Sequence, residues 1–459
     1  MSAPQTLSER LAAFAADLRW EDLPPEVVEH VRLHVLDLIG VCLLSTRMAF
    51  ARILREVAAA SGGAPESTLV GAGLKLPAPL AALYNGGLAH GNEFDDTYSE
   101  GRWHGSAPVV PPALAVAELL HADGKALIVA LAAGLEAGCR LTRAAPTLIA
   151  HGFHSTCTAG VFAGALAAGR LMGLDAARLA DAMGVAGSFA SGTVAFLTDP
   201  EPWSKRIQVG HAGQSAITAA RAAAAGFRGP RDILDGRHGY FRSYAREGNY
   251  DLSRVTEALG QDWQLLKLYP KRYPCDHIAQ GYVDCAIAIA REPGVTPAAI
   301  EHVDCVVHPL VVPIMFEPEE RRYSPENGWS ARWSMPFNMA VALTDGTLGI
   351  DSWTDARASD PATRALMRKV GYVVDAGLAF PGDYPARLRV RLTDSRIFER
   401  DQPKVAGSPE NPMPPEEYER KFLDNARRAI DLARARTLLA QLRSLPTLGD
   451  VSALAPLYA

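Results

Sequence analysis

Between residues 77 and 227 the chain repeats one texture: APLAALYNGGLAHG, APVVPPALAVAELL, KALIVALAAGLEAGCRLT, CTAGVFAGALAAGRLMG, AARLADAMGVAGSFASG and AITAARAAAAGF. Each run is rich in Ala, Leu and Gly and is broken by Gly, Pro or Asp. That pattern specifies helices whose small residues let neighbouring axes approach closely. An all-helical body follows. Two helices are expected ahead of it. Residues 6–18 (TLSERLAAFAADL) set Thr6 and Glu9 in capping-box spacing and place Leu11, Phe14, Ala15 and Leu18 on one face. After Leu23-Pro24-Pro25, with Pro25 suited to a first helical position, VVEHVRLHVLDLIGVCLL continues as a largely apolar helix buried on most sides.

The vocabulary changes near residue 266. Short β-branched runs at 300–312, 371–374 and 388–392 alternate with helical stretches at 277–292, 336–345 and 355–369, which specifies a mixed α/β unit. The tail, 416–442, returns to helix and is expected to pack back on the first domain. The expected fold is mainly α with a smaller α/β (α+β) domain: residues 1–265 with 403–459 form the large all-helical domain, and 266–402 the smaller one. A length of 459 residues, about three times a ~150-residue domain, accommodates both.

Several function classes drop out. Lys plus Arg number 46 against 51 Asp plus Glu, and no basic run is present, so the chain lacks the face that displaces counterions from nucleic acid. Residues 144–169 are free of Asp, Glu, Lys and Arg, but Pro146, His151, His154, Ser155 and Thr156 break them, leaving far less than the ~20 apolar residues that span a bilayer. Acidic residues at 9, 17, 21 and 22 argue against a signal or transit peptide, and a cytoplasmic protein is expected. The six cysteines never fall in C-x-x-C spacing and read as reduced, buried thiols. GAGLKL (71–76) has Leu76 where a dinucleotide fingerprint needs Gly, and neither a Walker sequence nor a G-x-S-x-G elbow is written. His30 and His34, four apart, lack the carboxylate of an H-E-x-x-H pair and read as a solvated or core-edge face.

One dense polar island remains, AHGNEFDDTYSEGRWHGSAPVVPP. It gathers His90, Glu93, Asp95, Asp96, Thr97, Arg102 and His104, with His90, Glu93 and Thr97 at i, i+3 and i+7 if the helix persists. Either these groups cap a helix and fill a loop, or they line a site. Further islands carry His151 and His154, then Trp203-Ser-Lys205-Arg206, then Lys271-Arg272-Tyr-Pro-Cys-Asp-His277. Histidines and lysines of this kind supply the base and the carboxylate-binding cation needed for proton abstraction beside a carboxylate. A metal-dependent hydratase using the His and Asp of the first island stays open as a rival.

The segments NGGLAHGNEFDDT, GFHSTCTAGVFAGALAAGRLMGLD, GHAGQSAITAARAAAAGFRGP, ILDGRHGYF, KRYPCDH, ARWSMPF and PENPMPPEEYERKF resemble the MmgE/PrpD family, in order, from about residue 7 to 445. The resemblance implies a large helical domain from both chain ends, a smaller α/β lid domain, and a homodimer. It also implies chemistry at a carbon next to a carboxylate without metal or organic cofactor. The activity it implies first is dehydration of a 2-methylcitrate-like di- or tricarboxylate, with epimerisation of an aminodicarboxylate and cis-aconitate-type decarboxylation as alternatives. A catalytically silent helical binding or scaffold protein is the non-enzyme alternative.

Carried over residue by residue, the resemblance implies His104 and His154 as the acid/base pair, in unassigned order, with Glu93, Asp95 and Thr97 beside them. Asp96, Lys205, Lys271, Arg272 and His277 are implied as substrate-binding, Lys205 and Lys271 meeting across a closing cleft. An ordinary helix-start histidine is the alternative for His277. The sequence departs from the family pattern at Glu93, where Asp is usual, at Gly105, where Pro is usual, and at Gln208, where His is frequent. Each lysine stands beside an aromatic residue in the chain, Trp203 and Tyr273, and its replacement is expected to leave the melting temperature nearly unchanged.

Overall fold

Thr6 starts the fold as its spacing predicts: its hydroxyl accepts the Glu9 amide, and Glu9 Oε2 accepts the Thr6 N–H at 3.0 Å, capping α1 (Leu7–Asp17). The computed structural model describes residues 5–199, 203–380 and 382–459. The chain divides into two compact units, Met1–Thr198 with Pro202–Pro270 and Pro414–Ala459, and Asp199–Glu201 with Lys271–Met413.

In the first unit, α2 (Pro25–Ser45) begins at Pro25 and is buried continuously from Val31 to Ser45. It is followed by α3 (Ala49–Ala60) and a hairpin of β1 (Ser67–Leu69) and β2 (Leu74–Leu76). Gly71 and Gly73 of GAGLKL sit in that hairpin's turn at φ +66° and +60°, where a side chain would be strained. The two glycines serve the turn. Then come α4 (Ala78–Ala89), β3 (Thr97–Tyr98), α5 (Ser106–Leu119), α6 (Gly124–Ala144), α7 (Ser155–Leu171), α8 (Ala176–Gly187), α9 (Trp203–Ala224) and β4 (Leu268–Tyr269). Strands β3 and β4 pair antiparallel, Thr97 opposite Tyr269.

Small residues fix how these helices meet. A Cβ on Gly210 of α9 would lie 2.0 Å from the Leu83 carbonyl oxygen of α4, so only glycine permits the approach. That contact sets α9, which carries Lys205 and Gln208, against the helix that ends at His90. The C-terminal helix Pro415–Ala426 packs on α2, where a Cβ on Gly40 would meet Phe422 at 3.1 Å. The single tail helix expected over 416–442 is two helices, because Asp431 caps a new one, Leu432–Arg443, by accepting the Arg434 amide.

The second unit is built on a sheet of order β6-β5-β7-β8, with β5 (Ile300–Val307), β6 (Val370–Val374), β7 (Ala386–Leu392) and β8 (Ile397–Gln402). Strands β5 and β6 are parallel, Val303 opposite Val370; the other pairs are antiparallel. Helices Gln280–Ala290 and Met335–Asp345 belong to the same unit. The strand expected over 300–312 stops at Val307, because Pro309 and Pro313 cannot donate to a ladder and His308 caps a short helical turn instead. The helix expected over 355–369 breaks at Asp360-Pro361, where Asp360 caps Pro361–Met367. Strand β8 was not expected, since FERDQ shows no apolar alternation.

The architecture is mainly α with a smaller α/β part. Among the described residues no helix is long and apolar enough to cross a membrane. All six cysteines are buried and unbridged.

Candidate active site

Helix α4 ends at Ala89 with His90 as its C-cap, so His90, Glu93 and Thr97 do not share a helical face. Past that end, in the loop, Glu93 stands at φ +54°, a left-handed conformation that costs a non-glycine residue about 1–2 kcal/mol. The surrounding contacts hold it there. Its carboxylate pairs with Lys205 Nζ from α9, and both side chains are almost wholly buried. Arg206 Nε donates to the Gly91 carbonyl at 3.2 Å, tying the same loop to α9.

Three imidazoles meet above this loop. The His90 ring centroid lies 5.1 Å from that of His104 and 5.5 Å from that of His154. His104 follows Trp103, whose ring fills the space a Cβ on Gly138 would occupy, and the His104 amide donates to Thr156 Oγ1 at 3.2 Å. His154 is the N-cap residue of α7, and its own amide donates to the Gly192 carbonyl at 3.0 Å. His90 and His154 are buried, and His104 is half-buried.

Each ring is held by an acceptor at Nδ1. For His90 it is Asp95 Oδ2 at 2.6 Å, and for His104 the Asp96 carbonyl at 2.7 Å, with Thr97 Oγ1 at 3.2 Å. For His154 it is Gln208 Oε1 at 3.1 Å; the Gln208 amide nitrogen donates to the Thr193 carbonyl, which turns Oε1 toward the ring. In the neutral form of each ring these partners place the proton on Nδ1 and leave Nε2 as the basic nitrogen.

Their electrostatics differ. Burial, then the neighbouring His90 and Lys205, push the His154 imidazole well below its ordinary range, against the opposing pulls of Gln208 and Glu93. His154 is therefore neutral at pH 7. His90 differs in its partner, the buried Asp95 carboxylate, which receives its Nδ1 proton. The buried, neutral His154 is the ring of the three suited to accept a proton. Cys157 Sγ lies 3.3 Å from His154 Nδ1, but burial pushes that thiol up and Nδ1 carries a proton, so the pair makes no thiolate.

Asp96 serves the capping and the site readings together. Its Oδ1 accepts the Ser106 amide at the first residue of α5, at 3.1 Å, while its carbonyl holds His104. Its Oδ2 accepts from Ser106 Oγ and from His34 Nδ1, the latter at 2.7 Å. His34 is 1% exposed, which corrects the solvated or core-edge reading for that residue: α2 is packed on both sides there, and the polar face meets a buried carboxylate. His30, half-buried with its ring 4.3 Å from that of His34, fits the core edge. Lys205 Nζ lies 5.6 Å from the Phe196 ring, and Trp203 is exposed.

Glu93, Asp95, Asp96, Thr97, His104, His154 and Lys205 all belong to the first unit and are joined by the contacts above. Lys271, Arg272 and His277 belong to the second. Lys271 is buried; Arg272 Nη1 donates to Asp284 at 2.9 Å; His277 opens the short helical turn His277–Ala279 with its ring 4.5 Å from Tyr384. Among the described residues no group of three or more His, Cys, Asp or Glu side chains is arranged to hold a metal ion. His34, Gln208 and Phe196 joined the site without being assigned to it from sequence. His90 was visible in the polar island but carried no role.

The profile of the MmgE/PrpD N-terminal domain matches residues 9–253, and that of the MmgE/PrpD C-terminal domain matches 273–445. A cis-aconitate decarboxylase from Aspergillus terreus is 25% identical over 478 residues, covering 99% of this chain and 96% of that protein. The cis-aconitate decarboxylase of Homo sapiens is 26% identical over 464 residues, covering 99% and 94%, and that of Mus musculus 25% over 467, covering 98% and 93%.

Proposed function

We propose, given that the chain belongs to the MmgE/PrpD family, that it is a lyase acting on a small di- or tricarboxylate by proton transfer at a carbon next to a carboxylate. The observation that carries this reading is the pairing of a neutral, buried His154 with His104 around the carboxylate-bound His90. In a dehydration, His154 Nε2 takes the proton α to the carboxylate. The electron pair forms the C=C bond as hydroxide leaves; His104, entering this step as imidazolium with its second proton on Nε2, delivers that proton to make water, and the proton taken by His154 is released to solvent while His104 is recharged from it. The Lys205–Glu93 pair stands beside His154, where the lysine stabilises the carboxylate as charge develops. Thr97 Oγ1 and the Asp96 carbonyl hold the His104 ring, and Asp95 holds His90.

Decarboxylation is the second reading, favoured by full-length similarity to the cis-aconitate decarboxylases. There the C–C bond breaks, carbon dioxide departs, and a histidine protonates the carbon that receives the electron pair. Incubation with citrate, 2-methylcitrate and cis-aconitate, followed by NMR, separates the two: hydration and dehydration products support the first, loss of carbon dioxide the second. No conversion of any carboxylate in the panel would refute both.

Lys205→Met is expected to lower kcat/KM by roughly tenfold or more, about 1.4 kcal/mol. It should also lower the melting temperature, in contrast to the expectation from sequence, because Glu93 is then left buried without its cation. Thermal denaturation of Lys205→Met beside Lys205→Met/Glu93→Gln checks this: the double variant recovers stability and not activity.

The pH profile carries a signed expectation. A His154 held below 6.5 remains a competent base as pH falls through that value, and activity is lost only on approach to its depressed pKa. In Lys205→Met a charge that lowers His154 is gone and the Glu93 carboxylate, which raises it, remains. The acid limb of kcat/KM then moves to higher pH, measured against wild type in the same buffers.

A further inference from the structure

We propose that His34 is a positioning residue for this reaction, fixing the imidazole of His104 through Asp96; the proposal rests on the reading of His104 as a proton-transfer group. His34 lies on α2 and Asp96 in the loop after α4, 62 positions apart in the chain. The His34 ring donates Nδ1–H to Asp96 Oδ2 at 2.7 Å, and its Nε2 is buried without a hydrogen-bond partner among the described residues, so the ring sits there as a donor to one carboxylate. The Ser106 amide takes the other oxygen at 3.1 Å. Asp96 is thus held from two elements, and its carbonyl accepts the His104 Nδ1 proton at 2.7 Å.

Rotation of the Asp96 peptide would swing that carbonyl and release the His104 ring. Orientation and tautomer of His104 therefore depend on a carboxylate whose holders are His34 and the start of α5. Ser106 Oγ, 3.4 Å from His34 Nδ1, donates to the same Asp96 Oδ2, so the start of α5 touches both carboxylate oxygens and His34 is the holder contributed by α2; the His30 ring at 4.3 Å, the Tyr418 ring at 6.3 Å and the Asp37–Lys421 pair are the other groups near it. A purely structural role, capping α5 through Asp96, predicts lost stability with an unchanged His104.

The two roles separate in three variants. Asn places its amide nitrogen where His has Nδ1, whereas Gln places it near Nε2 and Leu offers no donor. His34→Leu and His34→Gln are expected to lower kcat by about tenfold or more with KM within about threefold, as small misplacement of a reacting group does. The ¹⁵N imidazole shifts of His104 in the same folded proteins should move from the Nδ1–H tautomer toward a mixture. His34→Asn should restore both. Unchanged His104 shifts and kcat in His34→Leu would overturn the proposal, and so would indistinguishable Asn and Gln variants. If His34→Leu does not fold, the Asn and Gln pair decides. Full turnover in a His104→Asn variant would instead refute the functional reading, while the ¹⁵N shifts would still report on positioning.

Discussion

His154→Asn and His104→Asn are each expected to lower turnover by about 10² to 10⁴ while the protein stays folded. The choice of Asn matters. Its side-chain amide reaches the position of Nδ1, so the bond to Gln208 Oε1 in one case and to the Asp96 carbonyl in the other survives, and only the Nε2 nitrogen is removed. Loss of turnover with retained melting temperature then isolates the proton-transfer nitrogen from the packing of the ring. His154 has further neighbours, the Phe196 ring at 5.0 Å and the His90 ring at 5.5 Å, so a small cavity beside α7 is the structural cost. Near-normal kcat in both variants would remove the pair from the mechanism. Loss of folding in both would assign the histidines to structure.

The second large effect lies beneath the same loop. Lys421 of the C-terminal helix Pro415–Ala426 reaches Asp37 of α2 at 2.8 Å and donates to the Phe94 carbonyl at 2.9 Å, with both charged side chains buried. Burial pushes the Lys421 ammonium down and the Asp37 carboxyl up, and each partner pulls the other back toward its charged form. Removing one member leaves an uncompensated buried charge, which costs about 3–5 kcal/mol, whereas removing both is often close to neutral. Lys421→Met is therefore expected to destabilise the first unit by about 3–5 kcal/mol in denaturant unfolding. Lys421→Met/Asp37→Asn should recover most of it. Equal stability of wild type and Lys421→Met would show that the pair is solvated or dispensable.

Some of this was legible in the residues and some was not, for identifiable reasons. Local chemistry was readable: Thr6 and Glu9 cap α1, and Pro25 begins α2, because each signal depends only on neighbours a few positions away. The polar island at 90–104 stood out because charged groups in an Ala-rich run need an explanation, and the structure joins its carboxylates and histidines to His154 and Lys205. Long-range pairing was not readable. His34 looks like any polar position on a helix until Asp96 is brought to it, and Lys421 sits in EEYERKF, which reads as a solvated charged face. The i, i+3, i+7 spacing of His90, Glu93 and Thr97 pointed to a shared helical face only if the helix persisted, but it ends at Ala89, just ahead of Gly91-Asn92, and Glu93 lies beyond it at φ +54°. Strand β8 was hidden because both its faces carry charged residues at a sheet edge, where apolar alternation is not required.

Hydrogen exchange at carbon tests the central claim most directly. In D2O with citrate, 2-methylcitrate or cis-aconitate, the wild-type chain is expected to place solvent deuterium at the carbon next to a carboxylate, seen by NMR in recovered substrate or product. His154→Asn and His104→Asn should both lose that incorporation. Hydration or decarboxylation of cis-aconitate with no solvent deuterium at that carbon, hydroxyacid recovered unlabelled after equilibration, or undiminished incorporation in both histidine variants would contradict proton transfer by this pair.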